Sequence, residues 1–486
     1  MFSTTVIRAR ARVRRVTAAA LGVAGLLPAC SLAPKGAAVE RARVEAAGAP
    51  YADPGRRQIP ELPAEPDWRD LLRHAFLSNG ELEAGYYGWR AAVERIDIAA
   101  GYPNTNVSLG FEYLFAGGNL TGWDRTTLTV GFDPMQNLSF PTKVLAAGRV
   151  AYEEARAAGE RFAAAKFALQ RRVIDAYLDY ALLAERVRAQ REQLDLLRVS
   201  AETAAAQVIG GMPQQALLAA QVEVGHAEHL LRDLEAEQEQ QRIRLNALIG
   251  RAADAPLPAP RELPTPRPLP VADRELVAAG TAANPELRAL SREVASRDDA
   301  LELARQQYFP DINPFVGITG SIGQVVGAAI SLSTRIPQIQ AGIREARANL
   351  QAARAVRRQA GGARGAEFVG ALIALRNSER QVALLREHII PVANQSADTT
   401  ARAYAAGSGD LPSVIAARRT LLVLRVTLAE TQIARERAVA ELEQLAGIDA
   451  EALPAALARL RANPPAPTAG DHCEMDAATA ARVSGH

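Results

Sequence analysis

Apolar residues recur along this chain at two different spacings, and each spacing predicts a different kind of element. From about Thr142 to Val208 they follow one another at intervals of three, four or seven residues, the heptad spacing of a helix that packs along a neighbouring helix. This seam consists of Phe162, Leu169, Val173, Ala176, Tyr180, Leu183, Val187, Leu194 and Leu197, with Gln190 at one further core position. At 1.5 Å per residue the helix would extend roughly 100 Å, which predicts coiled-coil-like packing rather than one face of a globular core.

Four shorter stretches alternate apolar and polar residues, or are rich in β-branched residues and glycine, and predict β-strands. They run from Val107 to Phe115, from Thr126 to Phe132, from Phe315 to Gly320 and from Val325 to Leu332. A helix that ends at Tyr-Pro or Phe-Pro precedes each pair, and a proline opens a long helix after it. Four strands cannot close a barrel, since the smallest barrels need about eight. We therefore expect the strands to be completed by oligomerisation.

The order of elements occurs twice along the chain, which predicts an internal duplication. The matching segments are Asn79-Gly-Glu-Leu82 with Asn284-Pro-Glu-Leu287, Gly101-Tyr-Pro103 with Tyr308-Phe-Pro310, Ser139-Phe-Pro141 with Arg335-Ile-Pro337, the turn at Gly210 with the turn at Gly407, and Leu245–Gly250 with Leu442–Gly447. Their offsets run from 196 to 207 residues and keep the same order. Five such matches indicate a duplicated unit of about 200 residues.

The predicted boundaries follow from this repeat. They are 1–29 for a signal peptide, 30–66 for a lipid-anchored extension, 67–253 for the first repeat, 254–272 for a connector, 273–448 for the second repeat and 449–486 for a tail that we expect to be disordered at its end. The connector holds seven prolines in the fifteen residues from Pro256 to Pro270, which exclude a helix or a central strand, so we expect it to run over a surface. Each long helix is expected to turn at its tip and return as a helical hairpin.

The long helix of the second repeat is predicted to be less regular than that of the first. Gly361, Gly362 and Gly365 fall within it, and each costs on the order of 1 kcal/mol relative to alanine. Pro391 falls within it as well. We expect interruptions and bends at these positions.

The first 29 residues have the composition of a secretory signal. They contain five arginines and no acidic residue, and the apolar run from Ala18 to Leu27 is too short to cross a bilayer as a helix. Leu27-Pro-Ala-Cys30 resembles the lipobox of bacterial lipoproteins, so we expect Cys30 to carry acyl chains such as palmitate. Ser31 stands where an aspartate would favour the inner membrane, which favours the outer membrane. The pair Arg14-Arg15 leaves open whether export uses the Sec or the twin-arginine route.

Charge and cysteine content exclude several classes of function. The chain has 56 basic and 54 acidic residues, and without the five arginines of the signal its net charge falls from +2 to −3. It therefore lacks the concentrated basic stripe that nucleic-acid binding needs. Cys30 and Cys473 are the only cysteines, so neither a disulfide framework nor a cysteine-based zinc site is possible.

The sequence shows no motif for catalysis or for a cofactor. His226 and His229 flank Glu228 on a predicted helix, but a histidine pair on a solvated helical face is the commoner case. His472 and Cys473 are potential ligands for a soft metal ion in the tail. No nucleophile elbow, phosphate loop or carboxylate pair occurs. We therefore expect neither an enzyme nor a metal or cofactor site.

Several short motifs occur in an order that resembles the outer membrane efflux proteins of the TolC type, in their lipoprotein subgroup. These motifs are Asn284-Pro-Glu-Leu287, Tyr308-Phe-Pro-Asp311 before a strand hairpin, His388-Ile-Ile-Pro-Val-Ala393 and Tyr404-Ala-Ala-Gly-Ser-Gly-Asp-Leu411. The resemblance extends from about Trp68 to Ile448. It rests on the order of the motifs and not on any single one.

This resemblance implies a mainly α-helical fold with a small β part. Long antiparallel helical hairpins would form an α-barrel, and four strands per chain would contribute to one twelve-stranded transmembrane β-barrel in a homotrimer. The family exports drugs, metal ions, solvents or proteins passively through the outer membrane. An inner-membrane transporter supplies the energy, and a periplasmic adaptor, or membrane fusion protein, makes the contact. The implied location is the outer membrane, with a lipid anchor and with helices that extend into the periplasm.

The resemblance also implies a gate at the periplasmic tips of the helical hairpins. The candidate tip residues are Gly210 and Gly211 in the first hairpin and Gly407, Asp410, Arg402 and Arg418 in the second. The family often has aspartates at the positions of Ser413 and Ala416, which this chain lacks. Asp410 is the one nearby acid, with Arg402 or Arg418 as a possible partner. The alternative role for Asp410 is that of a helix N-cap or turn residue.

The strands allow two interpretations. Tyr113, Phe115 and Trp123 would form an aromatic girdle at a membrane interface if the strands enter a lipid bilayer. The alternative is a small soluble sandwich in a lipid-anchored periplasmic scaffold or adaptor without a pore. A channel needs an apolar face towards lipid and a polar face towards the lumen, whereas a sandwich has no lipid-facing band.

Overall fold

The computed structural model describes residues 32–51, 57, 59–102, 107–115, 118, 120–132, 139–209, 214–269, 273–406 and 408–462. Most of them are helical, and the strands form one sheet. The signal segment, Cys30, Gly210, Gly211, Gly407, His472 and Cys473 lie outside the described residues. Within the described ranges, no helix carries an apolar run of the length that a membrane crossing takes.

The first half of the chain supplies two strands and the longest helix. Its elements are α1 (Ala37–Gly48), a 3₁₀ turn (Ala49–Tyr51), α2 (Trp68–Ser78), α3 (Gly80–Ala100), β1 (Val107–Tyr113), β2 (Thr126–Phe132), α4 (Pro141–Ile209) and α5 (Gln215–Leu248). Asn79 begins α3 as its N-cap, because its Oδ1 accepts the backbone N–H of Leu82 at 3.0 Å.

The predicted heptad seam packs as expected along α4, which has 69 residues. Leu169, Val173, Tyr180, Val187 and Leu194 are all buried. The polar residue in the seam is accommodated by a hydrogen bond, since Gln190 Nε2 donates to the carbonyl of Ala227 on α5 at 3.1 Å.

The second half follows the same order of elements. They are α6 (Asp273–Ala283), α7 (Pro285–Arg305), a 3₁₀ turn (Gln306–Tyr308), β3 (Asp311–Thr319), β4 (Gly323–Ser331), α8 (Ile336–Leu384), a π-helical turn (Leu385–Ile389), α9 (Ile390–Ala405), α10 (Leu411–Ala446) and α11 (Leu453–Ala462). The helices α2 and α6 each have 11 residues, and α3 and α7 each have 21.

A four-stranded antiparallel sheet joins the two halves in the order β1-β2-β3-β4. Three strands lie within two residues of their predicted bounds. The third begins earlier, at Asp311 instead of Phe315. Pro314 explains the difference, because it lies where β3 pairs with β4 alone, and pairing with β2 begins only at Phe315. Proline is tolerated in a segment that has a neighbour on one side.

The second long helix departs from α geometry next to Pro391 and not at its glycines. The helix α8 continues without interruption through Gly361, Gly362 and Gly365, so the predicted interruption there is wrong. A glycine weakens a helix without removing a backbone hydrogen bond. Proline removes one and clashes with the preceding turn, and the π-helical turn directly precedes Pro391.

The packed side of this helix continues across the π-helical turn. One stripe of its buried and half-buried residues consists of Ala371, Leu375, Ser378, Val382, Leu385, Ile390, Ala393, Ala397 and Thr400, and Leu372, Arg376 and Glu379 lie beside it. Steps of three and four residues separate the members of this stripe everywhere except from Leu385 to Ile390, where the step is five. The N–H of Ile390 donates to the carbonyl of Leu385, so the wider turn absorbs the additional residue.

The described residues form two compact units that cut across the predicted repeats. One comprises the chain up to residue 60, 76–166 and 285–362, and the other comprises 61–75, 167–284 and the chain from 363. The first unit contains the sheet, and Trp89, Val93 and Ile96 of α3 lie in its core. The core of the second unit includes Phe368 and Val439. Each unit therefore draws on both halves of the sequence.

A buried charge cluster fixes the connector within the second unit. Arg267 is only 7% exposed, and its guanidinium lies 3.0 Å from Glu436 and 2.8 Å from Glu443, both buried on α10. The ring of Trp68 lies 5.0 Å from the same group. Burial alone would lower the pKa of Arg267, but the two glutamates raise it. Most of the described connector is exposed or half-buried, but Leu257 and Arg267 are buried, and Arg267 supplies the counter-ion that the buried carboxylates require.

Candidate functional site

The two sides of the sheet differ in chemistry. Cross-strand partners share a side, and residues alternate between sides along each strand. The side that we call the apolar face carries Leu109, Phe111, Tyr113, Leu128, Val130, Ile312, Pro314, Val316, Ile318, Val326, Ala328 and Ile330. Among the strand residues whose side chains are described, only Thr126 and Gln324 are polar on this face, and both lie next to a hairpin loop.

The opposite side, which we call the polar face, is built from small and polar residues. It carries Gly110, Glu112, Thr127, Thr129, Gly131, Asp311, Asn313, Phe315, Gly317, Thr319, Gly323, Val325, Gly327, Ala329 and Ser331. Phe315 fits because its partners on both sides are glycines. A Cβ on Gly131 would lie 2.8 Å from Phe315 Cβ, and one on Gly327 would lie 2.6 Å from Phe315 Cζ.

The apolar face is uncovered in the single chain. Leu109 is 81% exposed, Phe111 67% and Val326 83%. Contiguous apolar surface of this kind is unfavourable in water by about 25 cal/mol per Å², and large exposed patches mark membrane or protein contacts. Each edge strand also has a neighbour on one side only within the described sheet. In the single chain, the described sheet thus leaves both an apolar surface and the free sides of its two edge strands uncovered.

The predicted interface aromatics lie together beside the loop between β1 and β2. Tyr113 ends β1, and its ring centroid lies 5.1 Å from that of Phe115 in an edge-to-face arrangement. Phe115 is 88% exposed, and Trp123, three residues before β2, is exposed as well. We call these three residues the outer aromatic group.

A hydrogen-bond cluster that the sequence did not predict ties the two hairpin loops together. The backbone N–H of Ser321 donates to Asp124 Oδ1 at 2.9 Å, and the Ser321 hydroxyl donates to the same atom. The Thr121 hydroxyl donates to Asp124 Oδ2. These hydrogen bonds, chiefly that from the Ser321 side chain, lower the pKa of Asp124 to about 2. The loops of the two halves are thus joined by one carboxylate.

A second unpredicted contact lies at the opposite end of the sheet, where β3 meets the start of α4. The Lys143 ammonium lies 2.8 Å from Asp311 Oδ1, and Lys143 is buried. The backbone N–H of Phe140 donates to the same carboxylate oxygen at 3.3 Å. The rings of Phe140 and Phe309 stack with centroids 6.0 Å apart. The motif Phe-Pro-Asp signals this site in the sequence, but its partner Lys143 has no comparable signal.

The candidate gate residues lie around the turn between α9 and α10. Asp410 occupies the N-cap position of α10, and its carboxylate accepts a hydrogen bond from the Ser413 hydroxyl. Within the described part of the chain, Asp410 forms no ion pair with Arg402 or Arg418. The carbonyl of Arg402 accepts the N–H of Ala406, which ends α9. The structure thus places Asp410 as a turn residue in the single chain.

The helix α8 has one packed side and one open side. Between residues 336 and 367, Leu350 is the one buried residue. The open side carries small residues at heptad spacing, and these are Ala341, Ala348, Ala352, Ala355, Gly362 and Ala366. Small residues at this spacing allow a second helix to approach closely.

The histidines on α5 do not form a metal site in the described structure. His229 Nε2 lies 3.5 Å from Asp233 Oδ2, and Glu228 pairs with Arg198 at 2.9 Å. Among the described residues, no group of three or more potential metal ligands comes together.

No protein-family model matches the sequence, and no curated protein matches it. Solved structures with the same fold do exist. The outer-membrane channel OprN has a TM-score of 0.64 at 19% identity, over 79% of this chain and 90% of that chain. The outer membrane protein VceC of Vibrio cholerae has a TM-score of 0.63 at 17% identity, over 79% and 96%. The Campylobacter jejuni CmeC outer membrane channel has a TM-score of 0.62 at 12% identity, over 78% and 85%. The resemblance found in the sequence is thus confirmed at the level of the fold, and this chain has the fold of the TolC-type outer membrane efflux channels.

Proposed function

We propose that this protein is the outer-membrane channel of a tripartite efflux system. It would act as a passive conduit for substrates that an inner-membrane pump delivers through a periplasmic adaptor. The observation that carries this proposal is the contrast between the two faces of the sheet. The apolar face fits the lipid of the outer membrane, and the polar face fits a water-filled lumen.

A homotrimer accounts for what the single chain leaves incomplete. Four strands are too few for a barrel, whereas three copies supply twelve. The free sides of β1 and β4 would then pair between copies, which removes unpaired backbone groups from the bilayer. The open side of α8, with Ala348, Ala352 and Ala355, would receive a helix of the next copy in the α-barrel.

We also propose that Cys30 anchors the chain in the outer membrane through attached lipid. Leu32, the first described residue, donates its N–H to the carbonyl of Ala100 at 3.1 Å. Ala100 ends α3, seven residues before β1 begins. The start of the described chain is thereby held at the end of the sheet where the helices begin, a suitable place for a lipid attachment.

The two halves are proposed to derive from one duplicated unit. The equal lengths of α2 and α6, and of α3 and α7, support this origin. Each half also places a strand pair before its longest helical segment.

At the tips, we propose that Asp410 and the turns at Gly210, Gly211 and Gly407 form the closed end of the channel and the docking site for the adaptor. Three copies of Asp410 around an axis would repel one another unless they are paired. We propose that Arg402 or Arg418 pairs with each Asp410 in the assembled channel, so Asp410→Ala would remove a contact that holds the tips closed and is expected to raise leak conductance. An unchanged current would remove Asp410 from this role.

Neighbouring residues on opposite faces of β4 provide the sharpest test of the membrane assignment. Val326 lies on the apolar face and Val325 on the polar face. Val326→Arg is expected to cost about 2 to 4 kcal/mol in a bilayer if Val326 lies near the midplane, and to abolish assembly of the proposed trimer. Val325→Arg is the matched control and should assemble. Equal tolerance of both variants would favour the alternative function, a lipid-anchored scaffold or adaptor without a pore.

Conductance separates a pore from a scaffold directly. Purified full-length protein, reconstituted in a planar lipid bilayer, is expected to give discrete current steps. Val325→Arg should change the ion selectivity of those steps, because it adds one positive charge per copy to the lumen. A water-soluble monomer without conductance would contradict the proposed function.

A further inference from the structure

The end of the sheet opposite the hairpin loops carries a second group of apolar side chains, which are exposed except for the half-buried Phe140. We call Phe140, Tyr308, Phe309, Leu332 and Ile336 the inner collar. They lie in the short segments that connect the strands to α4, α7 and α8. Phe309 is 52% exposed and Leu332 69%, so the fold of the single chain does not use them as core residues.

Basic side chains accompany the inner collar. Arg335 is exposed between Leu332 and Ile336, and its side chain has no hydrogen bond or ion pair within the described residues. Arg305, at the end of α7, is 53% exposed and lies 3.7 Å from Glu302. The nearby acid Asp311 is already neutralised by Lys143. The collar therefore combines aromatic rings with one arginine, Arg335, whose charge is not paired within the described residues.

The spacing between the collar and the outer aromatic group matches a membrane. The nine residues of β3 lie between them, and at about 3.3 Å per residue they extend roughly 30 Å along the strand, or about 23 Å in height at the tilt of about 40° that barrel strands have. The apolar band of a transmembrane barrel is about 25 Å tall, with aromatic girdles at both interfaces. The apolar face thus has an aromatic boundary at each end.

We propose that the inner collar lies in the headgroup region of the membrane leaflet next to the helices, with Arg335 bound to lipid phosphate. This inference rests on the proposed function and extends it to a lipid-binding surface. Among the collar residues, Tyr308 favours this depth because tyrosine is amphipathic, and the guanidinium of Arg335 can bind a phosphate through two parallel hydrogen bonds. The partner is the phospholipid headgroup, since the collar continues directly from the apolar face.

Depth-dependent quenching tests the position of the collar. Phe309→Cys, Val326→Cys and Val356→Cys, each in a Cys473→Ser background, would carry a fluorescent label in the full-length protein. The Cys473→Ser protein without an introduced cysteine is the control for any fluorescence from a label attached to Cys30. In vesicles of phosphatidylethanolamine and phosphatidylglycerol, spin-labelled lipids quench at the headgroup or at the chain centre. We expect the label at position 309 to be quenched most by the headgroup probe, and the label at 326 by the chain-centre probe. Val356, exposed on α8, should stay unquenched.

The outcomes distinguish the two proposals. In one outcome, the label at 326 is quenched most by the chain-centre probe while the label at 309 is either not quenched or quenched most by that same probe. In that case the proposed headgroup position of the inner collar is wrong, and the proposed channel function is unaffected. If neither label is quenched, the membrane assignment itself fails, and the collar fails with it.

The role of Arg335 is tested separately with Arg335→Gln. Its matched control is Arg358→Gln, another exposed arginine of the same helical segment, roughly 35 Å further along. Phosphatidylglycerol is titrated into detergent micelles, and the thermal midpoint of the trimer reports binding. Arg335→Gln should weaken the apparent affinity about fivefold, the effect of one basic residue at a membrane surface. Equal affinities of the two variants would overturn the phosphate contact.

Discussion

The return helices α5 and α10 end with the same backbone geometry but are held by different chemistry. A glycine with positive φ follows each helix, Gly250 at 73° and Gly447 at 62°. Four residues before the glycine stands a buried polar residue, Asn246 in the first case and Glu443 in the second. The two positions correspond to each other in the proposed duplication.

The consequences of an amide and a carboxylate at these positions differ. Asn246 Nδ2 donates to the carbonyls of Ala253 and Ala255, so it fixes its own following loop. Glu443 accepts the N–H of Ala450 and also binds Arg267, which lies far away in the connector. A neutral residue is thus satisfied locally, whereas a buried charge needs a charged partner from a distant segment. We expect the second arrangement to be the more sensitive to mutation.

The largest effect is expected for Arg267→Ala. It leaves Glu443 buried without its counter-ion and should reduce the free energy of unfolding by about 3 to 5 kcal/mol. Urea unfolding in detergent, followed by helical circular dichroism, measures this loss. Arg261→Ala is the control, because Arg261 lies in the same connector but forms an exposed pair with Glu65. A loss no larger than that of the control would refute the importance of the cluster.

Asn246→Ala should have a smaller effect. It removes the donor to Ala253 and Ala255 and should cost about 1 to 3 kcal/mol in the same assay. Asn349→Ala, on the exposed side of α8, is expected to change little. A cost equal to that of Arg267→Ala would remove the distinction between the two helix ends.

Of the two helix ends, only that of α5 is expected to make the folding stability depend on pH through a histidine. His74 is buried, and its Nδ1 donates to the carbonyl of Ile249, the residue that directly follows α5, at 3.0 Å. Burial lowers the pKa of His74, so the folded chain keeps it neutral while the unfolded chain binds a proton near pH 6.5. Stability should therefore fall as the pH drops below about 6.5, by at most about 1.4 kcal/mol per pH unit.

His74→Asn provides the comparison for this pH dependence, because its amide can retain the hydrogen bond without titrating. The unfolding free energies of both proteins would be measured between pH 8 and pH 5. Their difference should grow towards low pH. A constant difference would show that His74 does not titrate in this range.

The smallest effects on stability are expected at the glycine with positive φ that both helix ends share. Gly250→Ala and Gly447→Ala should each cost about 1 kcal/mol, since alanine disfavours the left-handed backbone. Gly361→Ala, within α8, should instead stabilise by up to about 1 kcal/mol, because its backbone is helical and a Cβ meets open space. Thermal midpoints report all three. Unequal costs at the two ends would show that their backbone geometry is not equivalent.

The sequence predicted the regular elements well because their periodicity is local. The heptad seam from Leu169 to Leu194 and the alternation in β1 and β2 are present along the chain itself. The charge cluster escaped prediction for the opposite reason. Arg267 lies in a proline-rich segment that indicates an exposed connector, and Glu443 has the appearance of a solvated helical residue. Only the fold brings the two together.

The candidate site was likewise predicted where its signal is local in the sequence, and not where it depends on long-range contacts. The position of Tyr113, Phe115 and Trp123 at one end of the strands follows from the sequence. The Asp124 contact with Ser321 joins two loops that are remote in sequence, so no local pattern contains it. The pairing of Asp410 with an arginine stays a prediction for the assembled channel, since the single chain satisfies Asp410 with Ser413.

If the two halves derive from one unit, as proposed above, the π-helical turn before Pro391 would account for a small irregularity in their alignment. The offset between matching residues increases by one between Pro141, matched with Pro337, and Leu245, matched with Leu442. Leu385–Ile389 is where the packed stripe takes its five-residue step. A single-residue insertion in this segment would thus be accommodated by the wider π-helical turn. The residues after it would keep the same side of the helix towards their packing partners. A long helix of this kind can accept a single-residue insertion without loss of its packing, provided that a proline stands nearby to favour the bulge.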